Sequence, residues 1–281
     1  MREFWLTDGN VTAFLRHLEV EERSRGTREK YLRDIRAFRL WLADRPVTKD
    51  HMAGWKGELL ERGYCPATIN SMLTSVNMLL RWLGLEDCCV RTLKLQRRVF
   101  RDPARELTRE DYVRLRCAAH ARGKERLALL IESICATGMR VSEVRYLTAE
   151  ALRRGQVQIH LKGKVRVILL PKKLRRKLLD YVKKIHLTSG EVFRTRTGKP
   201  LGRKQIWAEM KSLCDEAKVD KSKVFPHNLR HLFAREFYKT CGDVVKLADV
   251  LGHSSIDTTR IYLLSTGREH IRQLERLRLV L

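Results

Sequence analysis

Six side chains in the sequence are of the types that cleavage of a phosphodiester requires. They comprise two arginines, a lysine, two histidines and a tyrosine: Arg140, Lys162, His227, Arg230, His253 and Tyr262. The reaction needs a nucleophile, positive charge at the non-bridging oxygens and a proton for the departing alkoxide. A guanidinium binds two phosphate oxygens through its planar fork, and its grip strengthens as charge develops in the transition state. Arg140 and Arg230 are therefore the candidates for phosphate binding.

His227 and Arg230 are three residues apart, so a helix places both on one face. Pro226 stands just before them, where a proline suits a helix start, and the positive end of the helix dipole there favours a phosphate. The pairing with Arg230 favours a functional interpretation of His227. His231 is one residue further round, and we expect it to point elsewhere in a structural role.

Arg140 lies in the segment Thr137-Gly-Met-Arg-Val-Ser-Glu, directly after an apolar helix. Gly138 is expected to end that helix and to present the arginine from a turn at the interior edge of a domain. Glu143, three residues further on, is interpreted as structural support for Arg140 or its helix.

Two alternating segments between these motifs predict a short β-hairpin. Gln156-Val-Gln-Ile-His-Leu gives one strand, and Val165-Arg-Val-Ile-Leu-Leu gives the other, with Lys-Gly-Lys between them. Gly163 is expected at the tip. A lysine at such a tip could deliver a proton to a leaving oxygen. Lys162 is favoured because it stands directly before the turn glycine, and Lys164 remains the alternative.

A tyrosine follows the last histidine motif at a fixed distance. Leu251-Gly-His is followed nine residues later by Tyr262, at the end of Thr258-Thr-Arg-Ile-Tyr. A tyrosine hydroxyl titrates near pH 10, so attack at neutral pH needs neighbouring positive charge or a base. Tyr31, Tyr112 and Tyr181, by contrast, lie on helical stripes typical of packing residues.

These segments, in this order and with the hairpin between them, resemble the catalytic domain of tyrosine recombinases of the phage integrase family, and the motifs are Xer-like. The resemblance covers about 105–281 specifically, whereas over 1–95 only the size and the four-helix pattern fit the family's core-binding domain. It implies that Tyr262 is the nucleophile, that His227 assists proton removal, that His253 hydrogen-bonds the phosphate and that Lys162 is the general acid. It also implies no cofactor and no catalytic metal.

The resemblance further implies a site-specific DNA recombinase. Such an enzyme cuts and rejoins DNA through a 3′-phosphotyrosyl bond and a Holliday junction, without ATP, for integration, excision, inversion or dimer resolution. The expected partners are double-stranded DNA and, in the synaptic complex, a homo-tetramer; without DNA we expect a monomer or weak oligomer, and an accessory protein remains open. Two alternatives are a catalytically silent DNA-binding regulator of the same fold and a type IB topoisomerase.

The composition agrees with a polyanionic partner. The formal net charge is +25, of which residues 1–100 contribute +5 and residues 101–281 contribute +20. Such a surplus of cations favours binding to nucleic acid, because binding releases counterions from it.

The sequence has no apolar run long enough to span a membrane and no signal-peptide stretch. Seven cysteines without a CxxC pair favour reduced thiols and no metal site. The expected location is the cytoplasm, bacterial and nucleoid-associated by the resemblance.

The predicted fold is mainly α, with two domains. Residues 1–95 are expected to form a four-helix core-binding domain, 96–106 a basic linker, and 107–281 a mixed α+β catalytic domain, mainly helical with a small antiparallel sheet and a helical tail. In the first domain the expected helix starts are Asn10 or Thr12, Thr27, residue 49 and Pro66.

The second domain is expected to begin its first helix after a Thr108 cap and to hold further helices at about 124–137, 171–185, 202–218, 227–239, 243–251 and 255–262. Glu191-Val-Phe suggests another short strand. A last helical segment from 267 carries the apolar stripe Ile271, Leu274 and Leu277. Packing on its own domain and docking on a neighbouring protomer are both open for this tail.

Overall fold

A computed structural model of the chain describes residues 3–95, 103–161, 164–253, 255–263, 271 and 275–277. The chain divides into two compact units, Met1–Arg97 and Arg98–Leu281. Both are mainly helical, and the second contains a two-stranded antiparallel sheet. The predicted fold class is thereby confirmed.

The first unit consists of four α-helices: α1 (Asp8–Val20), α2 (Arg25–Leu42), α3 (Lys49–Glu61) and α4 (Pro66–Trp82). Its core is formed by large apolar side chains from all four, including Phe14, Phe38, Trp55 and Leu73. The predicted starts of α3 and α4 are confirmed, with Thr48 capping the one and Pro66 opening the other.

The starts of the first two helices were predicted too late. Helix α1 is capped by Thr7, because the Thr7 hydroxyl accepts from the Asn10 amide while the Asn10 side chain accepts from the Thr7 amide. Asn10 is thus the third helical residue and not the cap. Helix α2 is capped by Ser24, three residues before Thr27.

The second unit holds the remaining helices, most of them around one large core. They are α5 (Arg109–Ala121), α6 (Glu125–Thr137), α7 (Ala149–Arg154), α8 (Lys172–Lys184), α9 (Arg203–Lys211), α10 (Cys214–Ala217), α11 (Pro226–Cys241), α12 (Val244–Leu251) and α13 (Ile256–Arg260). Where α12 packs on α11 there is a smaller apolar cluster of Ala234, Leu247, Leu251 and Tyr262. Thr108 caps α5 as predicted. Short 3-10 helices cover Pro103–Arg105, Val141–Tyr146, Lys221–Lys223 and Ile261–Leu263.

The predicted hairpin is confirmed as β1 (Gln156–Leu161) paired with β2 (Lys164–Leu169). Its inner face is buried in the core through Val157, Ile159 and Ile168. The opposite face of β2 is open to solvent, with Val165 and Val167 exposed. The predicted tip residues 162 and 163 lie outside the described part of the chain.

Other predicted elements differ from the structure. The strand at 191–193 is absent from the described residues: only single bridges join Thr148 to Glu191 and Arg194 to Pro200, and the apolar pattern there reflects burial of Val192 and Phe193. The helix expected over 202–218 is two helices, α9 and α10. Most of the predicted linker and tail lies outside the described residues. No helix among those described is long and apolar enough to cross a membrane.

Candidate active site

Arg140 is presented by a sharp end to helix α6. Gly138 follows α6 with a φ of 64°, and a Cβ there would lie 2.4 Å from the Phe233 ring, so only glycine fits. The chain then extends through Met139 into the 3-10 helix at Val141–Tyr146. Arg140 donates to Glu143 Oε1 at 2.9 Å and to the Gly252 carbonyl at 3.3 Å, and its side chain remains 40% exposed.

Glu143 is a buried carboxylate that joins three donors. Its Oε2 accepts from the Arg140 backbone amide at 2.7 Å, and its Oε1 accepts from both the Arg140 and the Arg166 guanidiniums. Arg166, which sequence reasoning missed, lies on β2 and also donates to the Val250 carbonyl at 3.3 Å. The expected support of Arg140 by Glu143 is thus present as direct contact.

Arg230 is almost completely buried on α11. It donates to the Gly138 carbonyl at 2.5 Å, to the Leu251 carbonyl at 2.9 Å and to His253 Nε2 at 2.8 Å. Burial lowers the pKa of this guanidinium, and the Tyr262 hydroxyl beside it acts in the opposite direction. Arg230 therefore links the end of α6 to the end of α12.

His253 has a defined tautomer in this arrangement. Arginine can only donate, so His253 Nε2 must accept from Arg230, and the proton lies on Nδ1, which donates to the buried Thr259 hydroxyl at 2.8 Å. Burial, together with the guanidiniums of Arg230, Arg140 and Arg166, lowers the pKa of His253 to about 4. The ring is therefore neutral near pH 7.

Tyr262 lies in the 3-10 helix at Ile261–Leu263 and is buried. Its ring stacks on that of His253 with centroids 5.5 Å apart, and it lies 5.8 Å from the ring of His227. Burial, followed by the charges of Arg230 and Arg140, lowers the pKa of His227. A neutral imidazole that can accept a proton thus stands beside the tyrosine.

His231 does not point away from this group, and that prediction was wrong. Its ring centroid lies 4.4 Å from that of Tyr262 and 4.6 Å from that of His227. Burial and then the nearby His227, Arg235 and Arg230 lower the pKa of His231 to about 4. The spacing held the signal, because residues four apart on a helix, such as His227 and His231, share a face.

The structure thus brings together five of the six predicted side chains, Arg140, His227, Arg230, His253 and Tyr262, from four separate stretches of the chain. Lys162 lies outside the described residues. Its rival, Lys164, begins β2 opposite Leu161.

A cavity of about 780 Å³ opens beside these side chains. Arg140, His227 and Arg230 line one part of it, and Arg203, Lys204 and Trp207 of α9 line another. Sequence reasoning missed this second wall. The sequence signal for it was Trp207, about half exposed on a helix that begins with the two cations Arg203 and Lys204.

Family models match both units. A model described as the phage integrase family matches residues 105–268, and one described as the N-terminal SAM-like domain of phage integrase matches residues 11–87.

Curated relatives match over nearly the whole chain. Tyrosine recombinase XerC of Roseiflexus castenholzii is 30% identical over 276 residues, covering 90% of this chain and 87% of that protein. Tyrosine recombinase XerA of Thermococcus kodakarensis is 28% identical over 271 residues, covering 94% and 93%.

Solved structures share the fold. A lambda integrase dimer bound to a COC′ core site has a TM-score of 0.74 at 19% identity, covering 93% of this chain and 96% of that one. A lambda integrase tetramer bound to a Holliday junction has a TM-score of 0.73 at 19% identity, covering 90% and 76%.

Proposed function

The chain belongs to the phage integrase family, and from this premise we propose how it works as a tyrosine recombinase. Tyr262 attacks a scissile phosphate in duplex DNA, forms a 3′-phosphotyrosyl bond and releases a 5′-hydroxyl. The 5′-hydroxyl of a partner strand then attacks that bond and frees the tyrosine. Two such exchanges, one for each strand, pass through a Holliday junction, and because the bond energy is held in the phosphotyrosine no ATP is consumed.

One observation carries this proposal: the Tyr262 ring packs among three neutral histidines beside a buried arginine. These groups come from α11, from the residues after α12 and from the 3-10 helix at Ile261–Leu263, so chain proximity alone does not explain the cluster. A packing tyrosine has no need of such neighbours, whereas a nucleophile needs a base and positive charge.

In the first step the proton of the Tyr262 hydroxyl passes to the neutral His227 as the tyrosine oxygen bonds to phosphorus. The partly exposed Arg140 and the buried Arg230 bind the non-bridging oxygens, where negative charge grows in the transition state. Because both side chains are already fixed by hydrogen bonds, little reorganisation is needed when the charge appears.

His253 is proposed to hydrogen-bond the same phosphate. With Nε2 accepting from Arg230, the ring cannot donate toward a phosphate from that nitrogen. We propose that a bound phosphate takes over the Arg230 donor and that His253 Nε2 then takes up a proton from solvent. The nearby anion favours that protonation.

A lysine of the hairpin is proposed as the general acid. As the bond from phosphorus to the 5′-oxygen breaks, the lysine ammonium gives its proton to that oxygen. Lys162 is the first candidate and Lys164 the second.

The proposed partner is double-stranded DNA, held chiefly through its phosphates by the strongly basic second unit. Arg203 and Lys204 add positive charge to the cavity beside the cluster. We propose a homo-tetramer as the form that exchanges strands, which is in keeping with a lambda integrase tetramer bound to a Holliday junction among the similar structures. We also propose that the protein acts in the cytoplasm on nucleoid DNA.

The test is covalent trapping on nicked suicide duplexes that tile the DNA flanking the protein's own gene. The wild type is expected to form an adduct that survives SDS, and Tyr262→Phe is expected to form none. Tyr238→Phe is the matched control, because Tyr238 lies exposed on α11 and should leave adduct formation unchanged.

Two further readouts separate the alternatives. A recombinase joins the cut strand to a partner duplex, whereas a type IB topoisomerase relaxes supercoiled plasmid without exchanging partners. Tight binding without an adduct on any duplex would contradict the proposal and favour a catalytically silent regulator.

A further inference from the structure

Arg166 is a charged residue on the inner face of the hairpin, the face that Val157, Ile159 and Ile168 bury in the core. Its neighbours Val165 and Val167 are exposed, but its own side chain is only 14% exposed and reaches two other elements. It donates to Glu143 in the 3-10 helix after α6 and to the Val250 carbonyl of α12. The contact is close, since a Cβ on Gly252 would lie 2.5 Å from Arg166 Nε.

The shared carboxylate couples this arginine to the phosphate-binding group. Glu143 Oε1 accepts from Arg166 and, at 2.9 Å, from Arg140. A buried guanidinium is destabilising unless it is paired and hydrogen-bonded, so Glu143 holds Arg166, and with it β2, in place. Glu143 also accepts from the Arg140 backbone amide, so Arg140 keeps its own contacts to this carboxylate when Arg166 is replaced.

On β1 the buried Ile159 holds the hairpin to the core near its tip, and on β2 Arg166 is the contact at the same position. A two-stranded sheet is marginal by itself, and Ile168, the buried apolar residue of β2, lies on the side of Arg166 away from the tip. Arg166 pairs with Ile159, and β2 begins only two residues earlier at Lys164. Among the described residues of β2, Arg166 thus forms the ion pair that lies closest along the strand to the candidate general acids.

We propose that Arg166 is a positioning residue for the general-acid step. Through Glu143 and Val250 it fixes β2 against the elements that carry Arg140 and His253, so that the hairpin lysine meets the leaving 5′-oxygen. This inference rests on the proposed function and adds a residue that acts through the lysine. Arg166 does not itself need to touch the DNA.

The experiment uses the full chain and a pair of suicide duplexes that differ in one atom. In one the scissile phosphate has its ordinary 5′-oxygen; in the other a sulfur replaces that oxygen. When Tyr262 attacks, the bond from phosphorus to oxygen breaks only with a proton for the alkoxide, whereas a thiolate leaves without one. The sulfur substrate therefore removes the need for a general acid.

The variant is Arg166→Met, which keeps much of the aliphatic part of the side chain and removes the guanidinium. It is expected to slow cleavage of the oxygen substrate by about 10²-fold, as a misplaced group does, and to cleave the sulfur substrate within about threefold of the wild type. Lys162→Ala and Lys164→Ala identify the acid by the same pattern. Arg140→Ala should stay slow on both substrates, because the phosphate still needs its charge.

Arg126→Met is the matched control, since Arg126 forms a comparable ion pair with Glu209 in the same unit. It should leave the cleavage rates on both substrates near those of the wild type. Amide hydrogen exchange gives a second measurement that does not depend on activity: protection of β1 and β2 should fall in Arg166→Met but not in Arg126→Met. Unchanged amide protection of β1 and β2 in Arg166→Met would show that Arg166 does not anchor the hairpin.

Three kinetic outcomes are distinct. Selective rescue of Arg166→Met by sulfur supports the inference. Equal slowing on both substrates, or no slowing on either, overturns it while wild-type adducts leave the proposed function intact. A wild type that forms no adduct on either substrate overturns the proposed function, and this inference with it.

Discussion

The three imidazoles around Tyr262 are held neutral by their surroundings. Burial is the main cause at His227, His231 and His253, and the neighbouring guanidiniums act in the same direction. The role proposed for His227 requires this, because only a neutral ring can take the tyrosine proton. The same environment has a consequence for the stability of the folded chain.

The free energy of unfolding is expected to fall as the pH is lowered, because these histidines bind protons more readily in the unfolded chain than in the fold. The pKa values of His231 and His253 are about 4 in the fold and about 6.5 in an unfolded chain, so between those pH values the unfolded state binds more protons. Their stabilisation is complete above pH 6.5 and is lost as the pH falls through 4. Urea unfolding followed by circular dichroism from pH 7.5 to 4 measures the decline.

His231→Gln serves as the comparison for that decline, because it removes one of the titrating rings. Its stability should fall less steeply with pH, by up to about one proton. Parallel declines for the variant and the wild type would show that the ring titrates normally in the fold.

His231 is expected to support the nucleophile by packing. Its ring is the nearest of the three to Tyr262, at 4.4 Å between centroids. His231→Ala should slow adduct formation by about 10- to 100-fold without changing DNA affinity, because a small displacement of a reacting group has effects of that order. His231→Phe should restore most of the rate, and His120→Ala, at an exposed site on α5, should have no effect. If Phe were as slow as Ala, the imidazole nitrogens would be the important feature.

At the scale of elements, the site depends on how helices end. Helix α6 ends at Gly138 and α12 ends at Gly252, both with positive φ, and a candidate site residue, Arg140 or His253, follows one or two positions later. The backbone carbonyls at these ends accept from Arg230 and Arg140. Helix termination and the placement of Arg140, Arg230 and His253 are therefore parts of one arrangement.

Gly138→Ala tests that arrangement. An alanine would carry the left-handed strain of about 1–2 kcal/mol, and its Cβ would meet Phe233 at 2.4 Å, adding about 1–3 kcal/mol of overpacking. We expect the free energy of unfolding to drop by the sum and adduct formation to slow. Gly123→Ala is the control, because Gly123 has the same φ of 64° with open space around it. Equal losses of stability in both variants would mean that Phe233 gives way without cost.

Several elements were predictable from a local signal, although the local caps Thr7 and Ser24 were not identified. Thr108 and Pro66 mark helix starts by their own chemistry, and the alternation over 156–161 marks a strand. Arg166 was not predictable, because its role comes from a carboxylate 23 residues away and a carbonyl 84 residues away. The wall of α9 was missed because its local signal, an aromatic residue after two cations, does not indicate that α9 lies beside Arg140 and His227. The strand predicted at residues 191–193 was wrong for a different reason: a buried segment without a partner strand has the same apolar pattern as a strand.

At the scale of the whole molecule, the net charge is unevenly divided between the two units. Residues 101–281 carry +20 of the +25 net charge, and they include the cluster around Tyr262. Each unit has its own apolar core, one around Phe14 and Phe38 and the other around Leu130 and Leu178. We therefore expect fragments 1–97 and 98–281 each to fold alone.

Salt dependence of DNA binding should then follow the charge. For a protein that neutralises Z phosphates, the logarithm of the affinity falls with the logarithm of the salt concentration at a slope of about −0.9Z. Fragment 98–281 should keep about four-fifths of the slope of the full chain on a non-specific duplex, and fragment 1–97 should show only a shallow one. Fluorescence anisotropy from 50 to 200 mM salt measures both. A slope carried mainly by fragment 1–97 would mean that few of the cations in the second unit face DNA, and the phosphate contacts proposed beside the cavity would then be wrong.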